Sequence, residues 1–113
     1  MLLEHSYLKQ NDFRVHINSP LAYKIFQNYF VKTLTDTYAQ NPLIIMCIGT
    51  DRSTGDALGP LVGERLHKVC RHARVLGNLE EPVHAANLVK VLDEVRNIHK
   101  NPFIIAIDAS LGR

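Results

Sequence analysis

Two aspartates sit just beyond apolar runs: Asp56 follows Leu43-Ile44-Ile45-Met46-Cys47-Ile48 by one loop, and Asp108 directly follows Phe103-Ile104-Ile105-Ala106-Ile107. Carboxylates held close together repel, so one pKa rises and the pair can share a proton. Such a pair can act as general base and general acid on an attacking water. The same oxygens also suit a divalent metal, with His84 as a nitrogen ligand. A metal would activate water or polarise a carbonyl.

Each candidate also has an ordinary structural role. Asp56 could cap a helix, and Asp51 could form an Asx-turn beside Gly49. Glu81 and His84 could be first-turn residues of a helix. Pro60 argues against Asp56 as a cap. With that cap, Pro60 falls just beyond the first turn and deletes the bond back to the Asp56 carbonyl. A helix starting nearer Gly59 leaves Asp56 free. Asp108 closes an apolar strand, where an unpaired buried charge is costly, so it reads as functional.

The acids need elements to position them. Residues 43–48 are continuously apolar, the pattern of a parallel strand buried on both faces. A loop with Gly49, Gly55 and Asp56 comes next, then a helix with Leu58, Leu61, Val62, Leu66, Val69 and Cys70 on one face. Val75 to Leu79 form a short candidate strand. Glu80-Glu81-Pro82 opens a further helix, with Ala85, Leu88, Val89, Leu92, Val95 and Ile98 in its stripe. Asn101-Pro102 closes it, and 103–107 is a third strand. Upstream, Ser19-Pro20 starts a helix running to about Gln40, whose Leu21, Ile25, Phe26, Tyr29, Phe30 and Leu34 make one face. Residues 1–18 read as an extended arm, with 13–17 as a short edge strand.

Alternation of helix and strand predicts an α/β fold with a mainly parallel sheet. In the common strand order 2-1-3, the runs 43–48 and 103–107 are neighbours, and their connections leave on opposite faces. Asp51 and Asp56 would then meet Asp108 at a crevice beyond the strand ends. Residues 19–113 read as the N-terminal part of a single α/β domain that continues beyond its third main strand.

Composition excludes several classes. The 113 residues carry a formal charge of +2, too small to argue for nucleic acid. No apolar run approaches the ~20 residues that cross a bilayer. Glu4 and His5 directly follow two leucines, unlike a signal peptide, so the chain reads as cytoplasmic. Cys47 and Cys70 lack CxxC spacing and read as free thiols. GTDRSTGDALG matches neither common nucleotide-binding glycine pattern, and two acids would repel a phosphate there. No cofactor is expected beyond the metal already considered.

The stretch from Cys47 to Gly63, CIGTDRSTGDALGPLVG, resembles the signature of the YyaC-type sporulation proteins. So do Glu81-Pro82-Val83-His84-Ala85 and Ile105-Ala106-Ile107-Asp108-Ala109-Ser110-Leu111-Gly112. The family is spore protease-like. It is similar to the germination protease, which degrades small acid-soluble spore proteins, and more distantly to hydrogenase maturation endopeptidases. The resemblance implies a three-layer phosphorylase/hydrolase-like fold and a peptidase acting on a protein or peptide in the sporulating cell or spore. By the same resemblance Asp56 and Asp108 are the catalytic pair, and their counterparts in the maturation enzymes bind nickel. The germination protease has Asn where Asp51 stands, and His84 does not match the metal-binding histidine of the maturation enzymes. Members of the family run well past residue 113.

Overall fold

The computed structural model describes residues 13–37, 41–52 and 54–109. The chain divides into two compact units, Met1–Tyr38 and Ala39–Arg113.

In the first unit, α1 spans Ala22–Thr37. Its start departs from the expected Ser19 cap with Pro20 as first helical residue. Residues 17–21 form turns, and Leu21 takes a left-handed φ of 62°. The Ser19 backbone carbonyl, not its hydroxyl, accepts the Ala22 N–H at 3.0 Å. Residues 13–17 are not a strand. Instead Phe13 stacks on Tyr29, with ring centroids 4.0 Å apart, so its apolar surface is used locally rather than in a sheet. Residues 1–12, and the expected helix end near Gln40, lie outside the described residues.

The second unit is a parallel sheet. Its strands are β1 (Leu43–Ile48), β2 (Arg74–Leu76) and β3 (Phe103–Asp108), in the order β2-β1-β3. The expected order of strands is therefore present. β1 pairs in register with β3 from Leu43↔Phe103 to Ile48↔Asp108. Two helices connect the strands: α2 (Leu58–Val69) leads from β1 to β2, and α3 (Leu88–Ile98) from β2 to β3.

The helices cover opposite faces. Successive strand residues point to opposite sides. Ile44 and Met46 point one way and pack with Leu88, Val91, Leu92 and Val95 of α3. Cys47 points the other way, beneath α2, where a Cβ placed on Gly63 would be 3.3 Å from the Cys47 Cβ. β2 is added on one side of β1 and β3 on the other, and with right-handed crossovers that change of side sends the second helix to the other face.

Gly59 sets how closely α2 approaches the sheet. A Cβ there would stand 2.1 Å from the Ile48 carbonyl oxygen. Pro60 is buried at the third helical position. An N–H there would have no partner within the helix, so its absence costs little.

Two boundaries differ from the pattern-based reading. β2 covers 74–76 rather than 75–79, because Gly77 turns the chain out at φ 93°. α3 begins at Leu88 rather than near Glu80. Residues 80–87 form a loop because Val83 is drawn to the sheet, where it forms a parallel bridge with Ile48 and is buried. Burial of Val83 offsets the helical turn that the segment forgoes.

Candidate functional site

Three segments converge around the last residue of β1. On one side Ile48 is the register partner of Asp108. On the other it bridges to Val83, directly before His84. Beyond it, the Gly49 N–H donates to the Val83 carbonyl at 2.8 Å, and the Thr50 N–H donates to the Asp56 carbonyl at 3.0 Å. Asp56, His84 and Asp108 are thus brought to one edge of the sheet from distant parts of the sequence.

Asp56 ends a single 3-10 turn, Thr54–Asp56, and Gly55 lies within that turn. It does not cap α2. Ala57 holds the cap position with a helical backbone and makes no side-chain cap bond. The Asp56 carboxylate is exposed and lines a cavity of about 580 Å³ with Thr50, Asp51, Arg52, Glu80 and His84. Asp51 is exposed in the same wall. The Thr50 hydroxyl accepts the Arg52 N–H at 3.3 Å; an Asx-turn on Asp51 would use the N–H of Ser53, which lies outside the described residues.

Asp108 is also exposed. The burial expected from its strand-end position is absent among the described residues, where β3 lies at the edge of the sheet. Its pairing puts its side chain on the same face as Ile48. It is not among the residues lining the Asp56 cavity.

Glu81 and His84 are not helix residues. Glu81 is exposed, and its backbone N–H donates to the Asn78 side-chain oxygen at 2.6 Å. It lines a second cavity, of about 430 Å³, between β2, the 78–84 loop and α3. His84 is half-buried and lines both cavities.

The loop bearing His84 is held by residues that the sequence pattern does not single out. Asn87 accepts the His84 N–H at 2.8 Å and donates to the Pro82 carbonyl at 3.0 Å. The backbone closes the same turn, with the Asn87 N–H donating to the His84 carbonyl at 3.0 Å. Glu64 of α2 accepts the Leu79 N–H at 3.1 Å. The one signal in the sequence is the asparagine itself, which favours helix starts over interiors. Asn87 is the residue directly before α3. Glu80, whose sequence context suggests only a helix-start acid, lines the Asp56 cavity.

For metal binding, no group of three or more His, Cys, Asp or Glu among the described residues is arranged to hold an ion. In addition, His84 Nδ1 accepts the Ala86 N–H at 3.2 Å. The neutral ring then carries its proton on Nε2, and coordination through Nε2 would require the other tautomer and loss of that bond. Among the described residues, the donor set does not fit a resident metal.

Cys47 is fully buried and Cys70 half-buried, both as free thiols. Burial pushes the Cys47 thiol above its ordinary value of 9.0. It lies under α2 as a core residue. No helix among the described residues is long and apolar enough to cross a membrane.

The fold and site define an open parallel α/β protein with a polar crevice at the carboxyl edge of its sheet, where the strand order reverses. A family model described as "Protein of unknown function (DUF1256)" matches residues 14–113, and the chain belongs to that family. It is 51% identical over 76 residues to a Bacillus subtilis (strain 168) protein named "Uncharacterized protein YyaC". That stretch covers 66% of this chain and 37% of the relative, so the chain spans well under half of the relative's length. No solved structure matches the chain.

Proposed function

We propose that the chain is the crevice-bearing part of a sporulation-associated peptidase that hydrolyses a peptide bond with Asp56 and Asp108. The observation that carries this reading is the convergence at Ile48, with Asp108 in register beside it and the Asp56 loop tied back over the next two residues. One carboxylate takes a proton from water as the oxygen attacks the peptide carbonyl carbon. The other, protonated, gives its proton to the amide nitrogen as the C–N bond breaks. Water supplies the hydroxyl of the new acid and the proton of the new amine, so the pair ends with the same number of protons. The acids are exposed, which suits a substrate that arrives from solvent and excludes water as it binds. The resemblance makes small acid-soluble spore proteins the first substrate to try, in the cytoplasm of the sporulating cell or spore.

A second reading has its own observation. Asp108 does not line the cavity that holds Asp56. On this reading the crevice binds a peptide or protein partner without cutting it.

The test is cleavage of a small acid-soluble spore protein by the full-length protein, wild type beside Asp56→Asn, with and without chelator. Cleavage lost in the variant and retained in chelator supports the aspartate pair. Loss in chelator as well favours a metal mechanism. No cleavage by folded wild type favours the binding reading.

A further inference from the structure

We propose that His84 is a hydrogen-bond donor to the substrate, presenting its Nε2–H to the carbonyl oxygen of the peptide bond under attack. This deepens the peptidase reading and rests on it for the identity of the acceptor.

One contact selects the tautomer of the ring. His84 Nδ1 accepts the Ala86 backbone N–H at 3.2 Å, so that nitrogen has no proton while the bond stands. A neutral imidazole carries one proton, which is then on Nε2. Nε2 is the second ring nitrogen, joined to Nδ1 through Cε1, and carries the ring's N–H. The backbone under the ring is fixed in turn. The His84 N–H is bound to Asn87 Oδ1, Asn87 Nδ2 is bound to the Pro82 carbonyl, and Val83 is bridged to β1. A donor held in this way needs little reorganisation when negative charge develops near it, the condition for stabilising an oxyanion.

The location agrees. His84 forms a wall of the Asp56 cavity and also of the cavity along β2. Two of the nearby backbone donors are engaged: the Gly49 N–H with Val83 and the Thr50 N–H with Asp56. Among the residues lining the Asp56 cavity, His84 and Arg52 are the side chains with an N–H edge. While the Ala86 bond stands, Nε2 has no free lone pair and Nδ1 is occupied, so the ring acts as a donor and not as a general base.

The test uses two replacements that separate the ring nitrogens. Glutamine places an amide N–H near Nε2 and loses the Nδ1 acceptor. Asparagine places its oxygen near Nδ1, keeping the Ala86 bond, and loses the Nε2 donor. In the full-length protein acting on a small acid-soluble spore protein, His84→Asn is expected to lower kcat by about 100-fold or more. His84→Gln is expected to stay within about tenfold of wild type, with KM changed little in both. The reverse order, with Asn active and Gln inactive, would assign His84 a purely structural role and overturn the proposal. Nitrogen-15 NMR of the ring gives a readout independent of turnover. It should show protonated Nε2 and unprotonated Nδ1, with the Nε2 signal shifting when the spore protein is added. A protonated Nδ1, or an Nε2 signal indifferent to bound protein, overturns the donor assignment. If folded wild type cuts nothing, the peptidase reading falls, and the NMR result alone decides whether His84 donates to a bound partner.

Discussion

Ile48 and Asp108 are register partners in the parallel pairing of β1 with β3, so the acid that ends one strand stands beside the residue from which the other strand enters its loop. That relationship fixes Asp108 against a strand whose inner part is buried on both faces. It makes the position of Asp108 a property of the sheet rather than of a loop.

Replacing either acid should separate activity from stability. Asp56 and Asp108 are exposed. Asp56→Asn and Asp108→Asn should each change unfolding free energy by no more than about 0.5 kcal/mol. Each should lower any peptidase rate by about 100-fold or more. Urea unfolding and substrate cleavage on the same preparations check both parts. Asp51→Asn should leave the rate within a few-fold of wild type, since no step is assigned to its carboxylate.

Gly59→Ala should be strongly destabilising although it removes no contact. The added methyl would overlap the Ile48 carbonyl and push α2 off the sheet. Overpacking of this kind costs about 1–3 kcal/mol. The adjacent exposed position offers a control, because Leu58→Ala removes a side chain that is 50% exposed. Denaturation midpoints should fall much further for Gly59→Ala.

Asn87→Ala should loosen the His84 loop. It removes one acceptor from the His84 N–H and one donor to the Pro82 carbonyl, both part-buried bonds. Leaving such groups unpaired costs about 1–3 kcal/mol each where water cannot replace the partner. Amide hydrogen exchange should speed up at His84 while the β1 amides keep their protection.

Cys47 should give alkaline sensitivity. Its folded thiol holds its proton more tightly than the unfolded thiol, because burial disfavours the thiolate. The unfolded state therefore loses the proton first as pH rises past the ordinary value of 9.0. From there stability falls with increasing pH until the folded thiol also ionises. Below that range the thiol contributes no slope. Unfolding measured from pH 8 to about pH 10.5 should show a steeper decline in wild type than in Cys47→Ala, whose baseline stability is lower from the small cavity.

The sequence by itself determined the class and the two long strands, 43–48 and 103–108, while the strand order, assumed from the common doubly wound arrangement, is set by the tertiary structure. The six apolar residues of 43–48 have no polar face to give water, so they require burial on both sides. Once alternating helices separated three such segments, a parallel sheet was the consequence. Pro60 argued against Asp56 as the cap of α2, because proline is tolerated in the first turn of a helix, and the structure places Ala57 at the cap. Tertiary structure alone decided the fate of residues 80–87. Their composition suits a helix start, but the Ile48 edge captures Val83, and a bridge to a distant strand has no local trace in sequence. That capture turns His84 from a helix residue into a wall of the crevice, and it brings Asn87 into use beneath it. Tertiary structure also decided the exposure of Asp108. An apolar run predicts burial for the residue that closes it, whereas exposure depends on what packs against that strand end, and among the described residues β3 pairs only with β1, on one side.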